Sequence, residues 1–232
     1  MQSGRLYLIP IEITEDGMSM LPEYNISKIY NIKHYIVERA RTARRFISRT
    51  GPPHPISDIQ VIEIDDTGEN LQICLDWLKN GIDVGVMSES GTPGIADPGQ
   101  NVVAAAHKYG YKVIPLSGPN SIMLALCSSG LNGQNFAFNG YLPIKDAALK
   151  SELKHLESQV LKRNQTQICI ETPYRNDRLF NKIIELLNPN IKLCVAKDLT
   201  GKEEIILTMK VAQWKKKNFT IGKWPTIFLL GQ

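Results

Sequence analysis

Two carboxylates and two glycine-rich turns are the residues here whose types and spacing can do chemistry. Glu38 ends an apolar strand-like run that begins at His34, and Glu171 ends another that begins at Gln167. A carboxylate at the carboxyl end of a strand is placed to orient or deprotonate a hydroxyl. Each also has a plainer reading. Glu38 can form a surface pair with Arg41, worth little energetically; Glu171 can start a helix or hold Arg175. Lys197 and Asp198 follow a third strand, and a solvated charge pair is the default expectation for them.

The first turn is Ser88-Glu89-Ser90-Gly91-Thr92-Pro93-Gly94-Ile95-Ala96-Asp97-Pro98-Gly99, leaving the apolar run Asp83 to Met87. It should open a helix, with Asp97 as N-cap, Pro98 at the first helical position, and Val102, Val103 and Ala106 at helical spacing. Gly91 and Gly94 allow backbone to approach a ligand where side chains would obstruct it. Such a turn at a strand's carboxyl end is where open α/β sheets bind ligands. It also serves as an ordinary βα connection. The second turn, Val113-Ile114-Pro115-Leu116-Ser117-Gly118-Pro119-Asn120, again runs from strand to helix, and Gly130 should stop that helix.

With Gly130-Leu131 and Asn139-Gly140-Tyr141-Leu142-Pro143, these turns follow the motif order of a known family. Gly-Thr-Pro with Asp-Pro-Gly, then Pro-Leu-Ser-Gly-Pro, Gly-Leu and Gly-Tyr-Leu-Pro, resembles the tetrapyrrole methylase superfamily, with spacing nearest its rRNA small subunit methyltransferase I branch. Weaker likenesses run through Leu6-Tyr7-Leu8-Ile9, Glu38 with Arg41, Glu171-Thr172-Pro173-Tyr174-Arg175 and Lys197-Asp198-Leu199-Thr200. Departures occur at Glu89-Ser90, where the family carries Asp-Ala, and at Ile9-Pro10-Ile11-Glu12-Ile13, where the ribosomal branch has Thr-Pro-Ile-Gly-Asn. Arg39 and Ala40 likewise replace an Asp and a Thr.

The resemblance implies two α/β domains, residues 1–116 and 117–232, with S-adenosyl-L-methionine in the cleft between them. It places the donor against Pro10, Ser90, Gly91, Thr92, Pro93, Ser117, Gly118, Pro119 and Leu131. The reaction it implies is 2′-O-ribose methylation of a cytidine in small-subunit ribosomal RNA by a homodimer. A small tetrapyrrole is the alternative acceptor, and a silent S-adenosylmethionine- or RNA-binding paralogue is the alternative outside catalysis.

The elements that must position these residues alternate between strand and helix patterns, which argues α/β. Ala40 to Arg49 reads as a helix with Ala40, Ala43 and Ile47 inward and a basic stripe of Arg41, Arg45 and Arg49. Basic faces contact phosphates without reading sequence, so Arg41 and Arg45, with Arg175, are candidate substrate-binding residues. Glu38 is the first candidate base and Glu171 the second. The 232 residues suffice for two compact domains. No apolar run approaches the roughly 18 residues of a membrane helix, and Met1 to Arg5 leads into a strand without a signal peptide. Cys74, Cys127, Cys169 and Cys194 lie in apolar settings without metal spacing, which predicts reduced core thiols in a cytoplasmic protein. No metal is expected: the histidines are scattered. Nucleophile-elbow and P-loop patterns are absent. A net charge of +4 permits an RNA partner without requiring one.

Overall fold

A computed structural model describes residues 2–232. The chain divides into two compact units, Met1–Asn120 and Ser121–Gln232.

The first unit is a parallel five-stranded sheet of β1 (Arg5–Leu8), β2 (His34–Val37), β3 (Gln60–Glu63), β4 (Val84–Met87) and β5 (Lys112–Pro115). Their spatial order is β3-β2-β4-β1-β5. The helices are α1 (Glu23–Ile29), α2 (Ala40–Arg49), α3 (Glu69–Lys79) and α4 (Gly99–Lys108). Side-chain alternation along each strand sorts the core into two layers. Tyr7, Ile9, Tyr35, Val37 and Met87 pack with Ile29 of α1 and Phe46 and Ile47 of α2. Leu6, Ile36, Val84 and Val86 pack with Cys74 and Leu78 of α3 and Val102 and Ala106 of α4. Gly85 stays bare for a packing reason: a Cβ there would lie 2.6 Å from the Tyr35 ring and 2.8 Å from Ile9 Cδ1. The chain leaves β1 towards β2 and leaves β4 towards β5. The carboxyl ends of these neighbours therefore form a topological switch point, where doubly wound sheets bind ligands.

The second unit begins with α5 (Ser121–Ser129), stopped by Gly130 at φ +68° as its position predicts. Its sheet comprises β6 (Phe136–Tyr141), β7 (Thr166–Glu171), β8 (Lys192–Lys197), β9 (Ile205–Lys210) and β10 (Thr226–Gly231), in the order β6-β7-β10-β8-β9. Only β6 and β7 pair in parallel; the other pairs are antiparallel. Helices α6 (Asp146–Arg163), α7 (Asn176–Leu186) and α8 (Val211–Trp214) contribute to one core layer around Trp214, whose indole N–H donates to Leu193 O at 2.9 Å. On the other layer α5 packs against Ile168, Cys194, Ala196 and Leu229.

Several sequence expectations are corrected. Helix α4 starts at Gly99 with Pro98 as its cap residue. Asp97 instead closes the glycine turn, accepting from Gly94 N–H at 2.9 Å and Gly99 N–H at 2.7 Å. Cys127 is exposed, because the apolar helix around it turns that position outward; the other three thiols are buried. Lys197 and Asp198 are not a solvated pair, being 6% and 5% exposed. They open a turn in which Asp198 and Thr200 adopt positive φ, with the Asp198 carboxylate accepting from Glu203 N–H. Thr200, β-branched at φ +69°, holds a strained conformation in this turn.

Candidate active site

Four loops meet at the carboxyl ends of the first sheet, and backbone hydrogen bonds extend the strands into them. Ile9 N–H donates to Val86 O at 2.9 Å, Glu38 N–H to Met87 O at 3.0 Å, and Leu116 N–H to Leu8 O at 3.0 Å. Ile11 N–H reaches Gly91 O at 3.0 Å, so the loop after β1 is stitched to the glycine turn after β4. Ser90 Oγ donates to Ile13 O and Ser88 Oγ to Ser90 O within the same seam.

The two turns singled out by sequence are held together. Thr92 Oγ1 donates to Pro119 O at 3.0 Å, a bond worth about 1 kcal/mol net. Gly91 adopts φ +71°, and a Cβ there would sit 3.2 Å from the same Pro119 oxygen. A Cβ on Gly118 would lie 2.3 Å from Pro10 Cβ, so glycine is needed for the second turn to lie against the first loop. The buried Asn25 donates from Nδ2 to Ser117 O at 2.7 Å and fixes that turn from below. Pro10, Gly91, Pro93 and Pro119 are buried, whereas Ser90 and Ser117 are exposed. Gly94, at φ +87°, has no atom within 4 Å of a Cβ position and faces open space. The result is a shelf made largely of backbone at the carboxyl edge of the sheet. Among the described residues no cluster of metal-binding side chains occurs.

Glu38 does not pair with Arg41. Its Oε2 accepts from Glu89 N–H at 2.9 Å, and Glu89 Oε1 accepts from Thr42 Oγ1 at 3.3 Å. The carboxylate thus sits at the mouth of the glycine turn. The basic stripe is divided. Arg45 pairs with Glu15 and Arg49 with Glu12, and Arg49 also donates to Glu15 O. These arginines clamp the loop after β1, including the 3-10 turn Glu15–Met20, onto α2. Around them lies a cleft of about 170 Å³ that reaches Glu89. Arg41 is exposed and has no carboxylate partner among the described residues.

Leu131, Glu171 and Arg175 belong to the second unit. Leu131 packs over Gly231, where a Cβ would lie 2.9 Å from its side chain. Glu171 accepts from Thr172 N–H and from Arg175 Nε at 2.9 Å, and forms an ion pair with Arg175 Nη2. Beside it, burial first and the Glu171 charge second push the Cys169 thiol up to about 12. The residues that sequence reasoning missed are Asn25, Glu12 and Glu89. Glu89 lies within the first turn and Glu12 within the departure at Ile9 to Ile13, so both were in view without being given a role. Asn25 acts across 92 positions and carries no local signal.

The fold is that of the tetrapyrrole methyltransferases. The methyltransferase CobJ superposes with a TM-score of 0.65 at 15% identity over 99% of this chain and 95% of that one. A cobalt precorrin-4 methyltransferase, CbiF, gives 0.60 at 13% over 98% and 94%. The Thermus thermophilus uroporphyrin-III C-methyltransferase complexed with S-adenosylhomocysteine gives 0.53 at 13% over 99% and 98%. In sequence, the chain is similar to ribosomal RNA small subunit methyltransferase I. The Vibrio cholerae protein is 33% identical over 145 residues, 62% of this chain and 49% of the relative. The Buchnera aphidicola (subsp. Schizaphis graminum) protein is 27% identical over 228 residues, 94% of this chain and 74% of the relative. The chain spans about half the length of several such relatives. No family model matches it.

Proposed function

We propose that this chain is an S-adenosylmethionine-dependent methyltransferase that acts on ribosomal RNA of the small subunit, at a ribose 2′-hydroxyl of a cytidine. The observation that carries the reading is the interlocked pair of turns, Thr92 to Pro119 and Gly118 against Pro10. They form a backbone shelf at the switch point of the sheet. The relatives named as ribosomal RNA methyltransferases support the acceptor. The tetrapyrrole enzymes share the fold at low identity and support that alternative less.

In this reading Pro10, Ser90, Gly91, Thr92, Pro93, Ser117, Gly118, Pro119 and Leu131 contribute to donor binding. The donor supplies an electrophilic methyl group beside a sulfonium, so alignment of two partners is the protein's main task. Glu38 is the first candidate to accept the hydroxyl proton and Glu171 the second. Glu171 is already engaged by Arg175, which favours Glu38. Arg41 is the member of the basic stripe best suited to a phosphate. Arg45 and Arg175 remain weaker candidates, since each has a carboxylate partner. A cytoplasmic setting and a homodimer complete the reading; sedimentation checks the second. Among the described residues no helix is long and apolar enough to cross a membrane.

The test offers labelled S-adenosylmethionine with intact small ribosomal subunits, naked ribosomal RNA and tetrapyrroles in parallel. Label in the small-subunit RNA at a ribose is expected. Label only in the macrocycle would replace the acceptor, and no label with any acceptor would leave a binding protein. S-adenosylhomocysteine should also stabilise the fold by about 2.7 kcal/mol at 100 times its dissociation constant. Gly91→Val, strained at φ +71° and directed at Pro119 O, should lose that stabilisation.

A further inference from the structure

One end of the second sheet carries two exposed rings, each with a lysine over it, that the donor shelf does not use. Tyr174, just past β7, is 81% exposed, and Trp224, just before β10, is 40% exposed. Their strands are neighbours: Thr226 of β10 pairs with Glu171 of β7 and with Lys197 of β8. Each ring has an ammonium group over it, Lys223 Nζ at 5.0 Å from the Tyr174 centroid and Lys197 Nζ at 5.7 Å from the Trp224 centroid. Neither lysine has a carboxylate partner among the described residues. The rings stand on a braced support. Asn176 Nδ2 donates to Trp224 O at 2.6 Å, and Asp177 accepts from Ile221 N–H at 2.7 Å and Gly222 N–H at 3.2 Å. The loop that carries Trp224 is thereby tied to the helix that follows Tyr174.

We propose that Tyr174 and Trp224 form a stacking platform for unpaired bases of the RNA acceptor, with the exposed Lys223 holding an adjoining phosphate and the buried Lys197 backing the Trp224 ring from within. The proposal rests on the RNA reading above and names how that RNA is gripped. Single-stranded RNA is recognised by stacking of splayed bases on aromatic side chains within a cationic surface. Two exposed aromatic rings with the exposed cation Lys223 beside them match both halves of that chemistry. Charge argues against a second copy of the chain here. A two-fold contact sets each patch against itself, and would bring these lysines towards each other.

The test measures binding of the full chain to a labelled 12-nucleotide single-stranded RNA and to an abasic ribose-phosphate strand of equal length. Tyr174→Ala and Trp224→Ala are each expected to weaken the RNA about tenfold. Their salt slope should be unchanged, because stacking releases no counterions. Affinity for the abasic strand should stay parental, and Tyr174→Phe and Trp224→Phe should restore binding. A ligand-free thermal midpoint equal to the parent's confirms that the variants are folded. If the parental chain binds and methylates RNA and the alanine variants match it, the platform is wrong and the RNA reading stands. If the parental chain neither binds nor methylates RNA, both fall. Loss of S-adenosylhomocysteine binding in the variants would assign the rings to the donor site and overturn the proposal. A shift from dimer to monomer with RNA affinity intact would assign them to self-association and overturn it equally.

Discussion

At the scale of single residues, Glu38 anchors the glycine turn and is the proposed base, and one substitution separates the two roles. Its Oε2 accepts from the Glu89 amide and so anchors the start of the glycine turn. A glutamine keeps an oxygen for that bond but cannot accept a proton at neutral pH. Glu38→Gln is expected to lower the single-turnover methylation rate by roughly 10²-fold or more with S-adenosylhomocysteine binding intact. Glu38→Ala should lose rate and loosen donor binding together. A parental rate in Glu38→Gln would remove the carboxylate from proton transfer and leave it as an anchor. The arginines of α2 divide in the same way. Arg41→Gln should reduce the salt slope of RNA binding by about one. Arg49→Gln should instead release the loop after β1, since Arg49 holds both Glu12 and the Glu15 carbonyl.

At the scale of elements, the sheet of the first unit sets where the turns can meet. Gly85 lets the Tyr35 ring lie against β4 under Ile9, one residue before Pro10. Gly85→Ala is expected to cost about 1–3 kcal/mol in urea unfolding through overpacking. An unchanged midpoint would show that Tyr35 moves freely. Much at this scale was legible from the chain. The glycine and proline punctuation marked both turns, and helical spacing gave α2 residue for residue, because both signals are local. Other features were not legible, for a common reason. Thr92 reaches Pro119 and Asn25 reaches Ser117 across long separations, and neither contact leaves a pattern in the intervening residues. The antiparallel pairing of β10 with β7 and β8 is equally non-local. Asp97 and Pro98 were placed one step too deep in α4, because Asp97 closes a turn and caps with the same carboxylate. Cys127 was misjudged from its apolar neighbours, since composition does not say which face of a helix a position occupies.

At the scale of the whole molecule, the thiols give a measure of native packing in both units. Cys74 lies in the first; Cys127, Cys169 and Cys194 lie in the second. Burial pushes Cys74 and Cys169 up to about 12, and Cys194 also upward. A thiol in that state carries little thiolate near pH 8 and is shielded from reagent. Native protein is therefore expected to release one equivalent of chromophore from a disulfide reagent, from Cys127, and four after unfolding. Cys127→Ser should abolish the fast equivalent. A second fast thiol would reveal local opening of a core that is closed in this structure.

The position of β10 has a consequence for how the chain is made. It is the tenth strand in sequence but the middle strand of its sheet, flanked by β7 and β8. Until residue 231 has left the ribosome, β6-β7 and β8-β9 are separate ribbons, each with an unpaired edge where β10 will insert. The first sheet has no such dependence, because all five of its strands lie before Leu116. During synthesis the two units therefore mature in order. The first can fold while the second still exposes open strand edges, the species most exposed to pairing with the wrong chain.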